Sequence, residues 1–397
     1  MGLLCLVWLL NLLQLRKASR DTRFHVKRDR YDGPAPGDPL ISVIVPARNE
    51  ERNIGDCLNA LSHSDHTNTE VIVVDDRSDD GTGTLLTRYR VHMHSLRVIA
   101  GEGPAEGWMG KIAAVWRGQQ DAKGEHLLFL DADVRVDPAA IRQCIHYIKD
   151  QGVDGVSVIG FLDNHGFWEH VVQPVVGSLV LSGNRPERVN DPKLKDAMAN
   201  GQFILVSREA YDAVGGHEAI KGEVMDDVAF ARLMKSNGRK LHLVLGNELF
   251  ECRMYHGLLE VWNGWSKNLF PGLHHSLGLT AVVVSLVFAT AFVPFLTLAA
   301  LGLAGALAPP LTPLAALTSA TCALAYATYA YGLHLVRQPA RWFWSYPIGV
   351  AVLLCILINS AVRIRWGFGV TWKGRKLLDT GTGGPKVRPS EQEPGAS

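Results

Sequence analysis

The charged part of this chain begins with short apolar runs that each end in a polar turn. Ile41-Ser42-Val43-Ile44-Val45 runs into Pro46-Ala47-Arg48-Asn49-Glu50-Glu51, and Val71-Ile72-Val73-Val74 runs into Asp75-Asp76-Arg77-Ser78-Asp79-Asp80-Gly81-Thr82. Further on, Leu127-Leu128-Phe129-Leu130 ends in Asp131-Ala132-Asp133. Continuous apolar runs of this length predict parallel strands buried on both faces. Between the first two, Ile54, Leu58 and Leu61 recur on one face of a predicted helix. Strands alternating with helices predict an open α/β sheet, where ligands bind beyond the carboxyl ends of the strands. The three polar turns are therefore expected to converge on one crevice.

After about residue 275 the pattern changes. Residues 277–308, interrupted by Pro294, residues 311–336 and residues 342–361 are apolar blocks with no polar face. Each reaches the ~20 residues needed to cross a bilayer core, so three transmembrane helices are expected. Trp342, Trp344 and Tyr346 at the start of the last block, with Trp366 and Trp372 beyond it, resemble interfacial aromatic belts. Residues 3–15 are apolar apart from Asn11 and Gln14, and Arg16, Lys17, Arg20 and Arg23 follow them. That charge order is the reverse of a secretory signal, and no A-x-A site is visible, so an uncleaved anchor is expected, with an interfacial helix as the alternative. The anchor would hold the following domain in the cytoplasm, at the inner membrane of a multi-pass protein. Three C-terminal spans would then put Arg363, Arg365, Lys373, Arg375 and Lys376 outside, against the positive-inside tendency. A hairpin or re-entrant element broken near Pro294 would resolve the conflict and leave the basic tail cytoplasmic.

Composition narrows the function classes. With 40 basic and 39 acidic residues, the net charge of +1 gives no reason to expect nucleic acid as a partner. The six cysteines, Cys5, Cys57, Cys144, Cys252, Cys322 and Cys355, show neither C-x-x-C pairing nor zinc-ligand spacing, and read as small apolar fillers. His92 with His94, and His274 with His275, lack a third ligand at a sensible spacing and are expected at a surface or interface.

The chemistry lies in the acidic turns. Asp131 and Asp133, one residue apart at the mouth of a buried strand, can grip a hard cation between them, and Mg²⁺ or Mn²⁺ held by one or two carboxylates usually completes its shell from substrate phosphates. A D-x-D alone is a weak signal. Gly107-Trp108-Met109-Gly110-Lys111 sets flexible glycines beside Lys111, whose charge could offset phosphate; a solvated lysine is the competing reading. Transfer of a group from a nucleoside diphosphate to a hydroxyl by direct displacement needs a base to take the hydroxyl proton. Asp227 presents a carboxylate at a helix start, just before Phe230, Leu233 and Met234; ordinary N-capping by Asp226 or Asp227 would also explain that placement.

VPARNEE, VVDDRSDDGT and LDADVRVDP, in this order and spacing, resemble the first half of a family 2 glycosyltransferase with the GT-A fold. The resemblance continues through Ala199-Asn200-Gly201-Gln202-Phe203-Ile204-Leu205-Val206-Ser207-Arg208-Glu209-Ala210, Val214-Gly215-Gly216, Met225-Asp226-Asp227 and the tail Trp372-Lys373-Gly374-Arg375. Within the family the chain is most similar to membrane-bound enzymes found with hopanoid and carotenoid biosynthesis. The resemblance implies that Pro46, Arg48 and Asp76, with Asp75 alongside, contact the uracil end of a UDP-sugar, and that Lys111 lies in a donor-binding loop; on the chemistry of the residues, Asp133 would bind the metal, Asp131 would share the metal or hold the donor's ribose, and Asp227 is the candidate base. The family usually shows Glu-Asp where this chain has Asp226-Asp227, which leaves the second position intact. The Gln-x-x-Arg-Trp motif of processive members is replaced near that place by Trp262-Asn263-Gly264-Trp265-Ser266-Lys267-Asn268, which argues for a single sugar transferred to a lipid.

The expected organisation is an N-terminal anchor and basic linker (1–37), a GT-A domain (38–256), an interfacial aromatic and basic segment (257–276), transmembrane helices (277–362) and a basic then disordered tail (363–397). Gln202, Trp262 and Trp265 are the expected acceptor contacts, with the tryptophans on an amphipathic helix at the membrane surface and core packing as the alternative. The acceptor is expected to be a carotenoid- or hopanoid-like hydroxyl. Polyprenyl phosphate, a hopanoid accessory step and a catalytically silent scaffold remain as other readings, and the sequence leaves the oligomeric state open.

Overall fold

The computed structural model describes residues 1–303, 313–366, 370–372 and 375–377. Helix α1 (Gly2–Arg20) precedes strand β1 (Ile41–Ala47), after which the chain alternates through α2 (Ile54–Ser62), β2 (Thr69–Asp75), α3 (Thr82–His92), β3 (Leu96–Ala100), α4 (Gly110–Gln120) and β4 (His126–Leu130). Next come β5 (Val134–Val136), α5 (Ala140–Gln151), β6 (Gly155–Ile159), β7 (Phe161–Leu162), α6 (Phe167–Gly183), α7 (Pro186–Val189) and β8 (Phe203–Ser207). They are followed by α8 (Arg208–Ala213), α9 (Asp226–Ser236), β9 (Leu241–Leu245) and β10 (Phe250–Cys252). Helices α10 (Gly257–Gly272), α11 (Leu277–Ala291), α12 (Val293–Leu303), α13 (Pro313–Leu335) and α14 (Tyr346–Arg365) complete the chain, with a small sheet of β11 (Val370–Trp372) and β12 (Arg375–Leu377) after them.

Contacts divide the chain into two compact units. One, the sheet unit, comprises Phe24–Asp163, Asn184–Met254 and the described residues after Val370. The other, the helical unit, comprises Met1–Arg23, Asn164–Gly183 and Tyr255–Val370, so α6 belongs with the C-terminal helices although composition does not mark it out.

In the sheet unit a seven-stranded sheet runs in the order β3-β2-β1-β4-β8-β6-β9. Strands β3, β2, β1 and β4 are mutually parallel, as the apolar runs predict, and Val43, Ile44, Val45, Ile72, Val73 and Val74 are fully buried within it. The register pairs Ala47 with Asp75, so the polar turns after β1 and β2 leave the same edge side by side. Strand β8 runs antiparallel to both β4 and β6, and pairs Leu130 with Phe203. Because it enters the sheet from that edge, its leading residues Asn200-Gly201-Gln202 lie beside the Asp131 turn, where the Asp131 amide donates to the Gln202 carbonyl at 3.1 Å. A second sheet, β5-β10-β7, completes the unit.

The helical unit breaks the first apolar block beside Pro294, and the expectation of three transmembrane helices is not confirmed. Residues 277–303 form α11 and α12, of 15 and 11 residues, divided at Phe292, and residues 304–308 lie outside the described part. Pro294 has no N–H to give the carbonyl of Thr290, four residues back, and the indole of Trp8 on α1 donates to that carbonyl instead at 3.1 Å. Helix α13 is long enough at 23 residues, but Thr318, Ser319, Thr321, Thr328 and three tyrosines dilute its apolar character. Its threonines return their hydroxyls to carbonyls four residues back, Thr318 to Leu314 at 2.7 Å for instance. Among the described residues one helix is long and apolar enough to cross a membrane, the 26-residue stretch Ala340–Arg365; α10 and α11, bent by 116°, would make a second if taken as one broken span. His274 and His275, both in the left-handed region at φ 55° and 54°, lie at that bend.

Candidate active site

The carboxyl edge of β1 and β4 opens into a pocket of the sheet unit lined by Pro46, Lys111, Asp131, Gly201, His217, Asp226 and Asp227. Lys111 is the second residue of α4, placed there by the Gly107-Trp108-Met109-Gly110 turn. That turn is tied down where the Met109 amide donates to the Lys221 carbonyl at 2.8 Å and Lys221 lies over the Trp108 ring at 5.8 Å. The Lys111 ammonium sits 2.7 Å from Asp131 Oδ1 and 3.5 Å from Asp226 Oδ2. Burial disfavours its charge, but Asp131, Asp226 and Asp227 outweigh that and hold its proton well above the ordinary lysine range. The side chain is 39 % exposed and at the same time paired with both Asp131 and Asp226.

Asp226 and Asp227 open α9, whose N-cap is Met225. Asp227 accepts from the Val228 amide at 2.8 Å through Oδ1 and from the Gly201 amide at 3.1 Å through Oδ2. Its carboxylate thus meets the helix start and the leading end of β8 together. Desolvation, helped by the charge of Asp226, pushes its pKa up to about 6, against the opposing pull of Lys111 and of the two amides. A carboxylate poised near neutrality can accept a proton from an incoming nucleophile.

Beside the pocket, the turns after β1 and β2 interlock. Arg48 donates to the Asp76 carbonyl at 2.9 Å, and its guanidinium lies 3.9 Å from the Asp76 carboxylate. Asp75 accepts from both the amide and the hydroxyl of Ser78, at 3.1 and 2.6 Å. A Cβ at Gly101, which follows β3, would come within 2.9 Å of the Asp76 Cα, so the bare glycine lets these turns approach closely.

Asp133 is not among the residues lining this pocket and lies beside the buried thiols of Cys57 and Cys252. Burial first, and then the charges of Asp133 and Asp131, push both thiols far up, so they stay protonated. Gln202 is buried at 5 % exposure; its amide donates to Cys252 Sγ at 3.0 Å and accepts from Asn200 at 3.1 Å. Trp262 and Trp265 lie in the helical unit on α10, both half-buried, with Trp265 edge-on to Tyr255 at 6.2 Å. Sequence reasoning passed over His217, and read Asp226 chiefly as a cap. The Gly215-Gly216 pair just before His217 is the signal that was present: both glycines have positive φ, and a Cβ on Gly216 would strike the Tyr211 ring that carries this histidine.

The model for glycosyl transferase family 2 matches residues 42–215. A 4,4'-diaponeurosporenoate glycosyltransferase of Staphylococcus aureus (strain MRSA252) is 29% identical over 241 residues, which is 58% of this chain and 61% of that protein. The chain thus spans about three fifths of the length of the curated relatives it matches. Among solved structures, the mannosyltransferase PcManGT from Pyrobaculum calidifontis, in complex with GDP-Man and Mn²⁺, superposes with a TM-score of 0.51 at 19% identity. That likeness covers 91% of this chain and 98% of the other, and at such identity it speaks to the fold. Residues 42–215 therefore match the glycosyl transferase family 2 model, on an α/β GT-A-like fold with a mostly parallel sheet.

Proposed function

We propose that the protein is an inverting glycosyltransferase that moves a single hexose from a UDP-sugar to a hydroxyl of a membrane lipid, a long apolar acceptor of carotenoid or hopanoid type. The observation that carries this reading is the meeting of Asp131, Asp226 and Asp227 around Lys111 in one pocket at the carboxyl edge of the sheet. In this reading Arg48, Asp75, Asp76 and Pro46 hold the uridine. Lys111 offsets diphosphate charge, and Asp227 takes the acceptor's proton as its oxygen attacks the anomeric carbon and UDP leaves from the opposite face.

Among the described residues no cluster of three acidic, histidine or cysteine ligands gathers. The two-carboxylate donor set of Asp131 and Asp133 nevertheless suits Mg²⁺ or Mn²⁺, which take most remaining ligands from water and phosphate, and Asp131 already holds one cation, the Lys111 ammonium. When bound, the ion would neutralise charge on the departing diphosphate. Membrane attachment through the Ala340–Arg365 stretch would bring the enzyme to its acceptor, and a lipid taken from the bilayer avoids the hydration cost of about 0.8 kcal/mol per exposed CH₂.

The test is transfer of label from UDP-[14C]glucose to a membrane lipid extract by the detergent-solubilised protein. Transfer should require Mg²⁺ or Mn²⁺ and stop in excess EDTA. Asp133→Asn should weaken metal-dependent UDP binding, whereas Asp227→Asn should keep UDP binding and lose turnover by about 10²-fold or more. Turnover that survives Asp227→Asn would point to an acceptor that is already an anion, such as polyprenyl phosphate. Failure to bind any nucleotide would leave a silent scaffold.

A further inference from the structure

One pocket residue has no part in that chemistry. His217, in the 3₁₀ turn Gly216–Ile220, is 4 % exposed, lies flat on Phe230 at 5.4 Å and meets the Phe129 ring edge-on at 4.6 Å. Two hydrogen bonds to one hydroxyl fix its protonation. The His217 backbone amide donates to the Tyr211 hydroxyl at 3.0 Å, and the same hydroxyl lies 3.0 Å from Nδ1. An amide can only donate, so the hydroxyl accepts there and has a single proton of its own to give. Giving that proton to Nδ1 is the pairing that satisfies both groups, and it leaves the ring's own proton on Nε2.

The ring is also neutral. Burial, with Lys111 adding to it and Asp226 opposing, brings the His217 pKa down to about 4. Nε2–H has no hydrogen-bond partner among the described residues, although the ring lines the same pocket as Lys111, Asp131, Asp226 and Asp227. A donor whose tautomer is set by a buried tyrosine, clamped between aromatic rings and left unspent at the pocket wall, is organised for a ligand oxygen. The surrounding charges specify which kind. Cations at Lys111 and a bound metal suit the anionic diphosphate, whereas a neutral donor beside the carboxylates Asp226 and Asp227 suits an uncharged hydroxyl.

We propose that His217 is a specificity-determining residue that donates from Nε2 to a hydroxyl of the transferred sugar, held in that tautomer by Tyr211. The proposal rests on the glycosyltransferase reading of the pocket and deepens it. Losing one such bond should weaken sugar binding about tenfold.

The experiment measures binding of UDP, UDP-glucose and its monodeoxy analogues, each with Mn²⁺, to the full-length protein and to His217→Phe, which keeps a flat ring but has no donor. UDP affinity should be unchanged in the variant, and UDP-glucose affinity should fall about tenfold. One deoxy analogue should bind the wild type about tenfold more weakly than UDP-glucose yet bind the variant as well as UDP-glucose does. Tyr211→Phe, with His217 followed by 15N NMR, should release the Nε2–H tautomer and reproduce part of the loss. Equal discrimination among the analogues by wild type and His217→Phe would overturn the proposal. So would an Nδ1–H tautomer in the wild type. If UDP itself fails to bind the wild type, the functional reading of the pocket falls instead, and the two failures are thereby distinguished. If His217→Phe does not fold, His217→Gln, which keeps an N–H, should retain the preference for the full sugar in that same comparison.

Discussion

At the scale of single residues, the pocket converts charge placement into a pH dependence. The folded protein holds Asp227 at about 6, above the ordinary 3.8, because desolvation and Asp226 together outweigh Lys111. A base must be ionised to work, so kcat/KM for transfer should be low below pH 5 and rise through an apparent pKa of about 6 in the free enzyme. Removing the like charge beside it, by Asp226→Asn, should move that rise to lower pH. A profile flat from pH 5 to 8, or an unmoved limb in the variant, would count against Asp227 as the base. Much of this pocket is legible in the sequence because its parts sit where apolar runs stop. Asp131 ends the β4 run, Asp227 precedes the helical spacing of Phe230 and Met234, and Lys111 follows paired glycines. His217 is not legible in the same way. Its role depends on Tyr211, six residues earlier, folding back beneath a left-handed glycine, and no periodicity encodes that contact.

Among the elements, β1, β2 and β4 follow directly from their uninterrupted apolar runs. The direction of β8 does not, because Phe203-Ile204-Leu205-Val206 reads the same whether the strand runs parallel or antiparallel, yet its antiparallel course is what brings Gly201 to Asp227. The apolar blocks were hardest to divide, since hydrophobicity gives their extent and not their breaks. Pro294 sets one break, and its consequence is long-range: Trp8, 282 residues from Thr290 in sequence, donates to the Thr290 carbonyl that Pro294 leaves unmatched. That contact predicts an interaction between two substitutions. Trp8→Phe should lower stability by about 1 kcal/mol, the worth of one hydrogen bond. In a Pro294→Ala background, where an amide can again reach Thr290, the same change should cost little. A thermal-denaturation cycle on the four proteins reads the coupling directly, and additivity within about 0.5 kcal/mol would show that Trp8 contributes packing alone.

At the scale of the whole molecule, the two units present different surfaces to their surroundings. In the helical unit Leu286, Leu296, Phe288, Ile358 and Val362 are exposed, as are Phe343 and Trp344 near the start of the apolar stretch Ala340–Arg365 and Trp366 just after it. Several polar groups inside the unit are met locally: Ser360 donates to the Ser266 carbonyl at 2.6 Å, Asn359 donates to the Ser266 hydroxyl at 2.9 Å, and Glu169 accepts from the Gly257 amide at 3.1 Å. Local pairing of this kind under an apolar exterior suits a hydrocarbon environment, where an unmet polar group has no water to turn to. A protein held by a span of this kind would resist conditions that strip electrostatically bound proteins. Alkaline carbonate and 1 M salt (Debye length ~3 Å) should leave it in the membrane pellet, and detergent should release it. Placing a lysine at Leu357, buried at 1 % exposure midway along α14, should weaken retention, at about 2.5–3.5 kcal/mol for a charge at the centre of a span. Complete release of the wild-type protein by carbonate would show instead that the helices pack on one another in water and that the acceptor is met away from the bilayer.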